Sequence, residues 1–214
     1  MSDTTVIIKT IGRKSVREAI ESAKREGFTT HVISDGVWFP PDQSEGTIGG
    51  ADSYTKLGRR WGYYGGMAAN VGAALAETEF VTFLDDDDEF APGAGDAIRN
   101  KLKEKPEVDV WIGGVRFNQD INVNGPSGDV IFSSRDLCMN GNLGIVPGNV
   151  CMPTYRTSVF SKMPFSDCVP VDKQNLTDFF HIKLCEREGF KLDWFEHLIY
   201  LVRPLVGGVN GEGR

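Results

Sequence analysis

Apolar positions in this chain fall into short unbroken runs, and helical stripes separate them. Thr5-Val6-Ile7-Ile8-Lys9-Thr10 shows little alternation and predicts a buried strand that breaks at Gly12. Ser15 with Glu18 three residues on predicts a capping box, and Val16, Ala19, Ile20 and Ala23 predict a helix that Gly27 ends. Thr30-His31-Val32-Ile33-Ser34 predicts a second strand closing on Asp35-Gly36. A strand, a helix and a strand at this spacing form a β-α-β unit with parallel strands.

Residues 37–60 carry no helical stripe, and Pro40-Pro41, Gly46 and Gly49-Gly50 read as a long loop ending in Lys56, Arg59 and Arg60. From Tyr64 to Leu75 a helix is expected, its Ala68, Ala69, Ala73 and Ala74 permitting close packing on a sheet. A buried strand over Phe80–Leu84, a helix from Pro92 to Lys103 and a strand over Val108–Ile112, extending toward Phe117, follow. Residues 118–148 read as hairpins or an irregular lobe. Val150-Cys151-Met152 resumes the core, and Tyr155 to Phe160 reads as a short helix. Asn175 or Thr177 is positioned to cap a helix carrying Phe179, Phe180, Ile182, Leu184 and Cys185, which Gly189 ends. A last strand runs from Leu192 to Val202, and a glycine-rich tail, expected to be flexible, follows Pro204. This alternation predicts an α/β fold with a mixed, mostly parallel central sheet flanked by helices. Ligands of such sheets bind beyond the carboxyl ends of the strands, which brings Thr10–Arg13, Ser34–Gly36 and the end of the Phe80 strand to one edge.

Charge changes the picture most at that third strand. Phe80-Val81-Thr82-Phe83-Leu84 runs straight into Asp85-Asp86-Asp87-Asp88-Glu89. Neighbouring carboxylates repel one another unless a cation sits among them. In an extended chain Asp85 and Asp87 face one way, Asp86 and Asp88 the other. Hard oxygen ligands at a rigid strand end suit Mg²⁺ or Mn²⁺. The competing reading is a solvated acidic loop that caps the helix near Pro92.

Composition narrows the rest. The 214 residues suffice for one domain with a substantial core. A net charge of −7 with no Lys/Arg run argues against a nucleic-acid partner. Cys138, Cys151, Cys168 and Cys185 form no CxxC, so they read as buried free thiols of a reducing compartment. Without a basic-plus-apolar leader or an apolar run near 18 residues, the expectation is a cytoplasmic protein with no transmembrane segment.

Several of these segments, in order, resemble the GT-A glycosyltransferases of the inverting family 2 type. Thr10-Ile11-Gly12-Arg13 is similar to the Thr-x-x-Arg segment after the first strand, and Ser34-Asp35-Gly36 to the Asp-Asp-Gly that ends the second. Ala68-Ala69-Asn70-Val71-Gly72 resembles the Ala-Arg-Asn-x-Gly helix, and Phe83-Leu84-Asp85-Asp86-Asp87-Asp88 the strand end carrying the Asp-x-Asp motif. Leu176-Thr177-Asp178 resembles the Thr-Glu-Asp segment of the catalytic base, and Glu188-Gly189-Phe190-Lys191 the stretch after its helix.

The resemblance covers most of the chain and implies a single GT-A domain. Residues 1–117 would form the nucleotide-sugar half, 118–204 the acceptor and base half, and 205–214 a tail. It implies transfer of one sugar from a nucleotide-diphosphate donor, UDP-sugar favoured, to an acceptor hydroxyl, a saccharide or another compound. Thr10, Gly12, Arg13, Asp35, Asn70, Asp85 and Asp86 would bind the donor, with Asp35 accepting from the nucleobase and Asp85 near the ribose. Asp87 would ligate Mn²⁺ or Mg²⁺, with Asp85 and His197 as further candidates. Asp178 would take the proton from the acceptor in a single inverting displacement.

Departures from the family pattern are Ala69 in the place of Arg, which leaves Lys56, Arg59 or Arg60 to meet phosphate, and Thr177 in the place of Glu. The Gln-x-x-Arg-Trp motif of processive synthases is absent, which favours single-sugar transfer. A sugar-nucleotide pyrophosphorylase would need a glycine-rich loop that Thr10–Arg13 lacks, and an Asp-x-Asp-x-Thr phosphohydrolase a Thr where Glu89 stands. A non-catalytic nucleotide-sugar or metal-binding module is the alternative of another class. His181 is expected at the surface or in the core, and Trp38, Trp111 and Trp194 to pack in the core or stack on sugars.

Overall fold

A computed structural model describes residues 3–36, 48–62, 65–117, 130–131, 152–165 and 177–202. The elements are β1 (Thr4–Thr10), α1 (Val16–Arg25), β2 (Thr29–Ser34), β3 (Ser53–Lys56), α2 (Gly66–Leu75), β4 (Phe80–Asp85), β5 (Asp88–Phe90) and α3 (Ala94–Glu104). They continue with β6 (Val110–Phe117), β7 (Val130–Ile131), β8 (Met152–Arg156), α4 (Ser158–Lys162), α5 (Thr177–Arg187) and β9 (Leu192–Val202).

These strands form one mixed sheet in the order β3-β2-β1-β4-β8-β6-β9-β5, with β7 on β6. Pairing is parallel from β3 through β4 and between β6 and β9, and antiparallel elsewhere. Val6, Ile7 and Ile8 are wholly buried, as an unbroken apolar run requires when both faces of a sheet are covered. Ile7 meets α2 at Gly72, where a Cβ would stand 2.4 Å from Ile7 Cγ2 and 3.2 Å from Ile33 Cγ1. Only hydrogen fits there, so the small face of α2 sets the helix down on β1 and β2.

Several boundaries differ from expectation, each for a local reason. Ser15 makes no side-chain cap bond and has helical backbone angles, so the capping box does not form. At the other end Gly27 is left-handed, and the Phe28 amide reaches back to the Ala23 carbonyl, so α1 ends as predicted. β3 lies within the expected long loop, a four-residue edge strand too short to show a pattern. Tyr155 belongs to β8, and the short helix starts later, at Ser158. α3 starts at Ala94 behind a left-handed Gly93, two residues after Pro92.

The core contains Trp111, which is 1% exposed and meets Phe195 edge-on. Trp111 is therefore packing, not a sugar platform; Trp194 is partly buried against the same core, and Trp38 lies outside the described residues. Cys185 is a buried free thiol, as expected; the other three cysteines lie outside the described residues. Among the described residues no helix is long and apolar enough to cross a membrane.

Candidate functional site

The strand β4 ends at Asp85, the chain turns at Asp86–Asp87, and β5 starts at Asp88. The four aspartates are therefore not one extended run, and simple alternation fails after the second. Asp85 is exposed, Asp87 partly buried, and Asp88 only 7% exposed. Carboxylate oxygens of these three gather within 4.8 Å of one another. Asp86 points elsewhere and is 2% exposed.

Around Asp86 the β1–α1 loop closes. Its Oδ2 accepts from Thr10 Oγ1 at 2.6 Å and from the Ile11 amide at 3.1 Å. Oδ1 accepts from Arg13 Nη1 at 2.6 Å. The Gly12 amide donates to Thr10 Oγ1 at 3.0 Å, which completes the turn. Arg13 Nη1 also stands 3.0 Å from Asp87 Oδ2. Burial works against the Arg13 charge, but Asp86 and Asp87 more than offset it, so its pKa is raised. Asp87 has a raised pKa because of burial first and the Asp85 charge second, against the opposing pull of Arg13.

Two further groups hold this turn, and sequence reasoning missed both. Lys9, opposite Asp85 in the β1–β4 register, places its ammonium 2.8 Å from Asp85 Oδ1. The Tyr200 hydroxyl accepts from the Asp85 amide at 2.8 Å. Lys9 was legible as a lone charge at the end of an apolar strand; Tyr200, 115 residues away along the chain, left no local signal.

Asp35 is 3% exposed, and both its oxygens are engaged. Oδ1 accepts from the Trp61 amide and Oδ2 from the Gly62 amide, each at 2.8 Å. Gly36 next to it has φ +78, and a Cβ there would stand 2.3 Å from the Arg60 amide nitrogen. Asp35-Gly36 thus anchors the 59–62 segment at the same sheet edge. On that segment the Arg59 guanidinium covers the Trp61 ring at 3.9 Å; Lys56, Arg59 and Arg60 are exposed. Asn70 Oδ1 accepts from the Phe165 amide at 2.8 Å, which ties α2 to the chain after α4. Ala69 is buried in α2.

Asp178 is the second residue of α5, in the turn where an anion is favoured by the helix dipole. One turn on, His181 is fully buried. Its Nε2 donates to the Met163 carbonyl at 2.9 Å, which leaves Nδ1 to accept from the Tyr155 hydroxyl at 3.2 Å. The ring stacks on Phe160 and meets Phe165 and Tyr155, and these three also surround Phe83, two residues before Asp85. One aromatic cluster therefore joins the first turns of α5 to the strand carrying the aspartates. His197 is exposed and is not part of the carboxylate group. It lies five residues before Val202, the partner of Asp88, roughly 16 Å along β9. A cleft of about 640 Å³ lined by Asp109, Lys162, Arg187 and Phe190 opens where β6 and β9 begin, at the edge opposite the aspartates.

Three carboxylates within one ion's reach fit a hard divalent cation. The β1–α1 loop and the Asp35-anchored segment flank them. A family model described as glycosyl transferase family 2 matches residues 5–165. No curated protein matches the chain. Among solved structures, S. aureus TarS 1-349 is similar with a TM-score of 0.56 and 16% identity over 94% of this chain and 60% of that one. The same TarS fragment in complex with UDP-GlcNAc gives a TM-score of 0.57 and 16% identity over 96% and 59%. CMP:2-keto-3-deoxy-manno-octonic acid synthetase complexed with CTP gives 0.55 and 12% identity over 92% and 90%. The chain thus spans about 60% of the length of the TarS fragment. At such identities the likeness speaks for the fold.

Proposed function

The chain belongs to glycosyl transferase family 2 and has the GT-A fold, and from that premise we propose that it transfers a single sugar from a nucleotide-diphosphate donor to an acceptor hydroxyl with inversion. The observation that carries the proposal is the Asp85–Asp88 turn at the carboxyl edge of the sheet. It gathers three carboxylates beside the Thr10–Arg13 loop in a chain of this family. The UDP-GlcNAc complex of the similar TarS fragment favours a UDP-sugar over other donors.

In this reading Asp87, with Asp85 and Asp88, would hold Mn²⁺ or Mg²⁺. Bound there, such an ion would supply Lewis-acid chemistry and offset the charge of the donor's diphosphate. Thr10, Gly12 and Arg13 line the nucleotide pocket, with Asp86 holding their loop in shape. Asp35 serves the nucleobase through the 59–62 segment it anchors, and each of its oxygens keeps lone pairs for a base N–H. Asn70 acts by seating α2 against residue 165. Asp178 accepts the proton of the acceptor hydroxyl as its oxygen bonds to the anomeric carbon and the carbon–diphosphate bond breaks. The family match ends at residue 165, so the role of Asp178 rests on the Leu176-Thr177-Asp178 resemblance and its position on α5.

A thermal-shift series with UDP, GDP and TDP, each with and without Mn²⁺, tests the donor site. UDP should raise the Tm, and only when metal is present. Release of UDP from UDP-sugars by the protein with Mn²⁺ should follow, and Asp178→Asn should abolish transfer to acceptor while sparing UDP binding. Binding without turnover of any donor would favour a non-catalytic module. A protein that neither binds nor hydrolyses any of them contradicts the whole reading.

A further inference from the structure

Lys9 is built into the aspartate turn more firmly than a surface lysine would be. Its side chain is 15% exposed, and its ammonium lies 2.8 Å from Asp85. Gly65, left-handed at the start of α2, clears the way for its stem: a Cβ at Gly65 would stand 2.9 Å from Lys9 Cδ. Arg13 meanwhile bridges Asp86 and Asp87. Two of the three gathered carboxylates, Asp85 and Asp87, therefore already hold a cation from the protein itself. An ammonium and a divalent ion compete for the same oxygen lone pairs, so Asp85 cannot serve both fully.

We propose that Lys9 is an exchangeable counter-ion. It holds Asp85 while the turn is without metal, gives it up when a divalent ion enters, and then pairs with the diphosphate of the donor. This rests on the donor reading above. Two consequences follow. Lys9 weakens the binding of metal alone, because an ion pair must first be broken. It strengthens nucleotide binding to the metal-loaded protein, because the released ammonium meets an anion a short distance away. Metal and nucleotide then bind with positive coupling that runs through Lys9, beyond the direct metal–diphosphate attraction.

The experiment is a calorimetric cycle on the full chain and on Lys9→Met, with Mn²⁺ alone and with UDP at saturating Mn²⁺. Loss of one competing ion pair should tighten Mn²⁺ alone about tenfold in Lys9→Met and weaken UDP about tenfold. Equal or weaker Mn²⁺ binding by a folded Lys9→Met overturns the proposal, and so does unchanged UDP affinity. A wild-type protein that binds neither Mn²⁺ nor UDP sinks the donor reading instead, so the two failures are distinguishable. If Lys9→Met does not fold, the wild-type protein still decides, through acetylation of Lys9 followed by mass spectrometry. Mn²⁺ alone should speed the reaction, and added UDP should slow it again. A rate indifferent to Mn²⁺ refutes the exchange.

Discussion

Asp86 and Asp87 are neighbours, yet the fold asks opposite things of them. Asp86 is buried and receives Thr10, the Ile11 amide and Arg13, so its charge is satisfied and structural. Asp86→Ala would leave those donors facing an apolar gap. It should cost about 2–3 kcal/mol in urea unfolding, tempered by the partial exposure of Arg13. Asp87 has a pKa raised by burial and by Asp85, so folding disfavours its charged form. Its contribution is favourable below the ordinary carboxylate pKa and is lost as pH rises through the raised value. Metal-free Asp87→Asn should therefore be at least as stable as the wild type at pH 7 and lose its Mn²⁺-induced Tm shift. Alternation paired Asp85 with Asp87, but on the premise of an extended run, which the turn at Asp86–Asp87 breaks. That Asp88 joins them and Asp86 is withdrawn was not legible, because the turn is made by partners 73 to 76 residues away in sequence.

At the scale of elements, the helix carrying Asp178 is positioned by a neutral histidine. Burial pushes the His181 pKa down to about 4 from its ordinary 6.5, opposed only in part by the Met163 carbonyl. A histidine depressed in the folded state stabilises above its unfolded pKa, and that stability is lost as pH falls toward the folded value. Between pH 7 and pH 5 the wild type should lose about 2 kcal/mol on this account, measured by urea unfolding. In His181→Gln most of that difference should disappear. Apolar periodicity disclosed α5, but His181 carries no periodic signal of its own. The Met163, Tyr155 and Phe160 that hold it belong to other elements. β5 was equally hidden: three residues, two of them acidic, become a strand only because β9 offers an open edge. The apolar runs β1, β2 and β4 were readable, since burial on both faces leaves a mark in the sequence itself.

For the whole molecule, the expected division near residue 117 meets an interleaved sheet. β4, from the first half, pairs with β8 from the second, and β5 pairs with β9. The turn of aspartates therefore sits between strands from both halves, and the Tyr200 hydroxyl fastens it from the far end of the chain. A fragment of residues 1–117 keeps the motifs of the nucleotide half but loses β8, β9 and that hydroxyl. It should show no cooperative thermal transition by circular dichroism and no Mn²⁺-dependent gain in Tm with UDP. A fragment that binds UDP with Mn²⁺ as the full chain does would show that the halves are separable.

The contact between Gly72 and Ile7 couples the two positions genetically. Because a single methyl at residue 72 meets the side chain of Ile7 head-on, the two positions cannot vary independently. A selection for function over random changes at residue 72 should return glycine alone. Gly72→Ala should be rescued by second-site suppressors, and the first of them should be a smaller side chain at residue 7, sixty-five positions upstream in the gene product. Neither substitution would be expected to pass alone at full fitness, since Ile7→Ala opens a cavity costing about 2–4 kcal/mol. The pair should behave as one allele.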